Sequence, residues 1–229
     1  MDIKKESYNF EDLREILKIL RSPDGCPWDR EQTHESIRNE FIEEVYEAVE
    51  AIDTANPELL CEELGDVLLE VMFHSRISEE AGGFNLDDVC DGICKKLILR
   101  HPHVFGDATA DSVEQVLSNW EDIKIKEKGL DDPREYLESA AKSLPALLRA
   151  AKIYKRAIKR GLVEAENCGE NLESDIKNIA KINSGNTELF ETIGRVLFNI
   201  AGLASELDIN AEHALYDYSE QFIKRILTK

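Results

Sequence analysis

Between Glu40 and Asp91 the chain carries sixteen carboxylates against one fixed positive charge, Arg76. The acids recur at helical spacing, with Glu40, Glu44 and Glu47 on one stripe and Glu63, Asp66 and Glu70 on the next. Residues three or four apart on a helix are neighbours, and like charges there destabilise it by about 0.2–0.5 kcal/mol per pair. A solvated helix face relieves this by interleaving lysine, and this stretch does not. A fold that keeps both stripes must supply a counter-charge, and a divalent cation is the most economical one.

The hydrophobic pattern supports helices throughout. Phe10, Leu13, Ile16, Leu17 and Leu20 place a helix over 9–21, followed by a structured turn at Ser22–Asp29 with two prolines and a glycine. A long helix is predicted over 33–53, with Ile37, Phe41, Val45, Ala48 and Ile52 as its apolar stripe. Asn56 as N-cap and Pro57 at the first helical position open another, running to about Glu80. Its predicted apolar face is Leu60, Leu64, Val67, Leu68, Val71 and Met72, and Gly82-Gly83 ends it. Further helices are predicted over 86–100 and 112–126, with 127–136 as a linker. Aromatic residues make up only 7% of the chain, which disfavours a sheet-rich fold.

Beyond the linker the chain repeats itself. Gly65-Asp66-Val67-Leu68-Leu69 has a counterpart in Gly194-Arg195-Val196-Leu197-Phe198, and Lys96–Arg100 in Gln221–Arg225. Anchored on the two glycines, Glu44 maps to Glu173, Glu47 to Ile176, Glu63 to Thr192 and Asp66 to Arg195, while Lys96 becomes Gln221. One of the four acids survives, so the second copy is predicted to be catalytically silent. The expectation is an all-α protein of two tandem helix-bundle domains, an active one over 1–126 and a degenerate one over 137–229.

The net charge of −19 disfavours binding to nucleic-acid polymers or anionic membranes, both of which call for clustered Lys and Arg. It leaves a polyphosphate substrate open, because a bound cation reverses the local sign of an acidic site. Five widely spaced cysteines without a C-x-x-C pair give no disulfide framework. No apolar run reaches the roughly 18 residues of a membrane span, and residues 1–6 lack the apolar core of a signal peptide. These features predict a soluble cytoplasmic protein.

Glu44 with Glu47, and Glu63 with Asp66, are three-residue pairs on consecutive helices. Packed antiparallel, those helices would bring four carboxylates into one cleft. Such hard oxygen donors suit Mg²⁺, with Mn²⁺ as a substitute, and Mg²⁺ completes its shell with water and substrate phosphates. The chemistry expected is metal-dependent attack of water on a phosphate chain. The alternative is a solvated acidic face, against which the missing lysines argue.

The stretch from about Leu13 to Lys126 resembles the MazG family of all-α nucleoside triphosphate pyrophosphohydrolases. The resemblance rests on Gly25-Cys26-Pro27-Trp28-Asp29, Gln32-Thr33-His34, Glu43-Glu44-x-x-Glu47, Glu62-Glu63-Leu64-Gly65-Asp66, Arg100–Asp107 and Asn119-Trp120-Glu121, in that order. Leu144–Lys152 resembles the start of the second domain of tandem members. The resemblance implies hydrolysis of a nucleoside triphosphate between the α and β phosphates. It makes Glu44, Glu47, Glu63 and Asp66 metal ligands and gives Glu43 the task of orienting or deprotonating the attacking water. Lys96 and Arg100 match basic positions suited to the triphosphate, and Trp120 would stack on the base. Family members are usually dimers, so a homodimer is implied. A rival reading keeps the fold as a nucleotide and metal sensor without turnover, and a third narrows the substrate.

Several single residues carry milder expectations. Cys90, Cys94, His101 and His103 fit no common zinc spacing, so the cysteines are expected to pack as small apolar residues and His101-Pro102-His103 to shape a helix exit. His34 is expected to be structural and Lys95 solvated, and Trp28 to serve either as core anchor or as substrate contact.

Overall fold

The computed structural model describes residues 4–163, 167–179 and 187–227. Every regular element among them is a helix, so the protein is all-α. None of these helices is long and apolar enough to cross a membrane.

The chain divides into two compact units, one ending at Asp111 and the other beginning at Ser112. The division falls earlier than the sequence suggests. Helix α7 (Val113–Glu127) lies in the second unit, and α8 (Pro133–Glu138) begins within the stretch expected to be a linker. The reason is a set of polar ties among α7, α8 and the end of α9 (Ala146–Lys159). Tyr136 donates its hydroxyl to Glu121 at 2.6 Å, the Arg160 guanidinium donates to the Leu130 carbonyl at 2.9 Å, and Lys159 pairs with Asp122 at 3.5 Å.

The first unit comprises α1 (Phe10–Leu20), α2 (Pro27–Glu31), α3 (Arg38–Asp53), α4 (Pro57–Glu80), α5 (Leu86–Arg100) and α6 (Pro102–Phe105). Asn9 caps α1 in a reciprocal box with Asp12, and Asn85 does the same for α5 with Asp88. The Ser22–Asp29 turn contains the start of α2. Helix α3 begins at Arg38 rather than Thr33, because Thr33 and Ser36 bond each other's backbone amides at 2.9 and 3.2 Å and hold a turn instead. Leu17, Ile37, Met72, Phe73 and Leu86 form the core, where α1 and α5 pack against the C-terminal half of α4.

Helices α3 and α4 depart in part from the expected pattern, although Ile37, Ala48 and Met72 of the expected apolar faces are buried. Val45 and Ile52 were expected in the core, yet they are 43% and 59% exposed, as are Leu64 and Leu68 in large part on α4. The seam between the two helices is lined by Ala48, which the sequence placed inside, with Ala51 from α3 and Glu63 and Glu70 from α4, all buried. The two helices pack closely along their length. Small residues on α3 permit that approach, which turns Glu63 and Glu70 inward and leaves several larger aliphatics outward.

The second unit continues with α10 (Asn167–Ile179), α11 (Thr187–Glu206) and α12 (Ala211–Leu227). Tyr154 of α9 is buried against α11 and donates its hydroxyl to Glu206 at 2.5 Å. Gly202 makes the contact possible, since a Cβ there would meet the Tyr154 ring at 2.9 Å. Each unit thus carries six described helices, several of them short, where four or five were expected.

An ion pair between the buried Arg21 and Glu80 ties the first unit together. The Arg21 guanidinium donates to Glu80 at 2.8 and 3.1 Å, to the Asp29 carbonyl, and to the Gln32 carbonyl at 3.3 Å, and it stands 5.3 Å from the Phe73 ring centroid. Burial alone would raise the Glu80 pKa. Hydrogen bonds from Arg21 and Arg76 overcome that and hold it below the usual 4.5. A lowered carboxylate pKa contributes stability above the unfolded-state value, and that contribution is lost as pH falls through the folded value. Arg21→Ala should therefore cost about 1.5–3 kcal/mol at neutral pH. In urea denaturation the cost should shrink, without vanishing, as Glu80 is protonated, because the two carbonyl contacts do not titrate.

Candidate active site

The α3–α4 turn is three residues long, Thr54 to Asn56, and is closed by the Asn56 amide on the Ala51 carbonyl at 3.0 Å. So short a turn makes the helices antiparallel and sets residues equidistant from Ala55 opposite each other. Three carboxylate pairs result: Glu47 with Glu63, Glu44 with Asp66, and Glu40 with Glu70. The electrostatics follow the same pairing. After burial, the largest charge acting on Glu63 is Glu47, on Glu44 it is Asp66, and on Glu70 it is Glu40.

At the centre, Glu44, Glu63 and Asp66 each present an oxygen within 4.8 Å of the other two. Burial first, and the neighbouring carboxylates second, raise the pKa values of Glu44, Glu63 and Glu70 above the usual 4.5. Every charge that shifts these three groups is another carboxylate. Three convergent hard oxygens of this kind fit a divalent cation such as Mg²⁺ or Mn²⁺.

The structure therefore gathers three of the four acids assigned as ligands. Glu47 faces Glu63 but is exposed and stands outside the close group. Glu43 is exposed on α3, and its charge bears on Glu44 alone among the three. Lys96 and Arg100 lie on α5 in the same unit, Lys96 exposed and Arg100 in the last turn. Trp120 lies on α7 in the second unit, where the Lys124 ammonium stands 4.9 Å from its ring centroid.

Glu70 is the residue that sequence reasoning left without a role. It belongs to the α4 acidic stripe, one turn beyond Asp66, and that spacing was its only signal. One turn further, His74 stacks on His34 at 5.1 Å between centroids, with the two Nδ1 atoms 2.8 Å apart. The pair joins the turn before α3 to α4, a structural task for His34. Trp28 is 59% exposed, so it is no core anchor. Cys90 and Cys94 were expected to pack as small apolar residues but are exposed, since much of α5 beyond Leu86 is uncovered. Cys26 and Cys61 are also free thiols, and Cys168 lies outside the described side chains. His101 ends α5 with its Nδ1 2.7 Å from the Leu97 carbonyl, as its place at the helix exit suggests. Lys95 is exposed and pairs with Asp91 at 2.5 Å.

The equivalent positions of the second unit hold different chemistry. Arg195, aligned with Asp66, forks onto Asp175 at 2.7 and 2.8 Å. Thr192, aligned with Glu63, is buried and donates its hydroxyl to the Glu188 carbonyl at 2.8 Å. This unit brings its own counter-charge to the seam.

Residues 32–105, which span α3, α4 and α5, match the family model described as the MazG nucleotide pyrophosphohydrolase domain. The chain is 41% identical to the nucleoside triphosphate pyrophosphohydrolase/pyrophosphatase MazG of Thermotoga maritima, over 97% of its own length and 86% of that protein. The chain belongs to the MazG family. The nucleoside triphosphate pyrophosphohydrolase of Escherichia coli K12 is 36% identical over 93% of the chain and 84% of that protein. The protein of that name from Mycolicibacterium smegmatis is 33% identical over 80% of the chain and 60% of that protein. The MazG domain match contains the whole carboxylate seam together with Lys96 and Arg100, and Trp120 falls outside it.

The raised pKa values carry a sign that can be tested. A carboxylate whose folded pKa lies above its unfolded value contributes most below the unfolded value, near 4.5 for Glu70, and loses that contribution as pH rises through the folded one. Gln at position 70 does not titrate. In the presence of EDTA, the melting temperature of Glu70→Gln should match the parent's at about pH 4.5 and exceed it increasingly toward pH 8.

Proposed function

We propose that this protein hydrolyses nucleoside triphosphates to the monophosphate and pyrophosphate, with water attacking between the α and β phosphates and with a divalent cation required. The observation that carries the reading is the close group of Glu44, Glu63 and Asp66 in a seam where the charges acting on these carboxylates are themselves carboxylates. The names of the Thermotoga maritima and Escherichia coli relatives support the same reaction class.

In this reading Glu44, Glu63 and Asp66 hold Mg²⁺, or Mn²⁺ in its place, and Glu47 closes the site from the neighbouring turn of α3. When bound, the cation supplies charge neutralisation at the phosphate oxygens and a more acidic water. Glu43 orients that water or takes its proton. Lys96 and Arg100 bind the triphosphate, Lys as a point charge and Arg as a planar fork. Trp120 stacks on the base, an interaction tolerant of base identity. Such a site selects triphosphate over base and would serve nucleotide-pool cleaning or regulation.

The protein is proposed to be a homodimer, supported by the exposed face of Ile42, Val45, Tyr46, Val49 and Ile52 on α3, too apolar to remain in water. The second unit is proposed to be silent, because its Arg195–Asp175 fork takes the place of a cation-binding group. Among the described side chains four cysteines are free, three of them exposed, which is consistent with a reducing cytoplasm.

Incubation of the purified protein with Mg²⁺ and a panel of ribo- and deoxyribonucleoside triphosphates should yield monophosphate and pyrophosphate rather than diphosphate and orthophosphate. Glu44→Gln and Glu63→Gln should each lower kcat by two or more orders of magnitude, since several kcal/mol of charge stabilisation are removed. Their circular dichroism should retain the helical signal. Turnover that survives both substitutions would refute the assignment, and tight nucleotide binding without product would favour a sensor.

A further inference from the structure

The second unit carries a charge pattern opposite to that of the acidic seam. Between Ser139 and Val163 the chain has seven lysines and arginines and no acid. Lys152, Arg156 and Arg160 recur at i, i+4 and i+8, one stripe along α9 and its C-cap. Arg156 is 6% exposed, and its guanidinium donates to the Tyr136 carbonyl at 2.6 Å and the Ser139 hydroxyl at 2.9 Å. Arg156 and Arg160 stand 4.7 and 5.1 Å from the Tyr136 ring centroid, and the Arg160 Nε is buried without a hydrogen-bond partner. Among the described residues no carboxylate pairs with Lys152, Arg156 or Arg160. A buried charge without a counter-ion is costly.

Helix α7 brings more cations to this stripe. Tyr136 joins the two helices, for its hydroxyl donates to Glu121, which also accepts from Lys124 at 3.1 Å. Lys128 follows Lys124 by one turn. Desolvation, then the charges of Arg156, Lys124 and Lys128, hold the Lys152 pKa below the usual 10.5, with Glu121 acting against them.

We propose that the α7–α9 face of the second unit binds an oligophosphate anion, with Lys124, Lys128 and Lys152 as its ligands and the buried Arg156 adding charge from within the fold. Lys124 and Lys128, four residues apart, are about 6 Å apart along the helix axis. Cations spread over that length on one helix and met by Lys152 from the other suit a chain of phosphates better than a single carboxylate. Free pyrophosphate and the triphosphate tail of a nucleotide share this chemistry. No divalent cation takes part, so the site stands apart from the reaction proposed above.

The test is calorimetric titration of sodium tripolyphosphate into the full-length protein at pH 7.5 in EDTA, which silences cation-dependent binding at the acidic seam. One anion should bind per chain. Lys152→Gln and Lys128→Gln, both at exposed positions, should each weaken binding at least tenfold, and Glu63→Gln should leave it unchanged. Lys155→Gln controls for diffuse attraction. It lies on the same helix, 4.0 Å from Asp208, and should change Kd less than twofold. A parent that binds no tripolyphosphate overturns the proposal, and so does a loss in Lys155→Gln equal to that in Lys152→Gln. Titration with a nucleoside triphosphate distinguishes the sources. Binding at least tenfold tighter than tripolyphosphate assigns the site to a nucleotide, and equal or weaker binding assigns it to a free oligophosphate.

Discussion

Like charges facing each other across a helix seam organise the first unit. Glu40, Glu44 and Glu47 on α3 oppose Glu70, Asp66 and Glu63 on α4, and the three-residue turn at Thr54–Asn56 fixes that register. Carboxylates in such a seam oppose folding, as the raised pKa values of Glu44, Glu63 and Glu70 record. Helices so arranged are held by what surrounds them. Ala48 and Ala51 let the backbones approach, the Leu17–Ile37–Met72–Phe73–Leu86 core packs the far end of α4, and Arg21 locks the α1 exit to Glu80.

The two units show two answers to one electrostatic problem. In the second, Arg195 donates to Asp175 through Nε and Nη2, and Thr192 bonds the backbone of its own helix. At the position aligned with Asp66 the second unit thus carries a positive charge with its own carboxylate partner. The buried polar ties of that unit, Tyr136 to Glu121 and Tyr154 to Glu206, serve packing between helices.

Much of the helical layout was legible in the residues. Asn56, with Pro57 after it, caps the start of α4 as its sequence suggests, and Gly82, at φ +76°, follows the end of that helix. The direction of the helix faces was not. Period-3.6 reasoning assigns the wider aliphatic stripe to the core, which placed Val45, Ile52, Leu64 and Leu68 inside. That rule assumes that carboxylates seek water, and it fails where small residues and a short turn press two acidic stripes together. The division between units was missed for a related reason. Gly129, Asp131, Asp132 and Pro133 read as linker chemistry, but here they include the cap of α8, which Tyr136 ties to α7.

The sequence by itself determined the all-α class, the family, the paired acids Glu44, Glu47, Glu63 and Asp66, and the loss of three of those four in the second copy. Each of these is a matter of residue type at helical spacing, which is local information. Only the tertiary structure decided which acids converge, drawing Glu44, Glu63 and Asp66 within 4.8 Å of one another and leaving Glu43 and Glu47 exposed. It also buried Glu70 and set Arg195 on Asp175. Those outcomes depend on the register and separation of two helices, which are fixed by a turn and by the packing of small residues along the seam. No single stripe of the sequence contains that information.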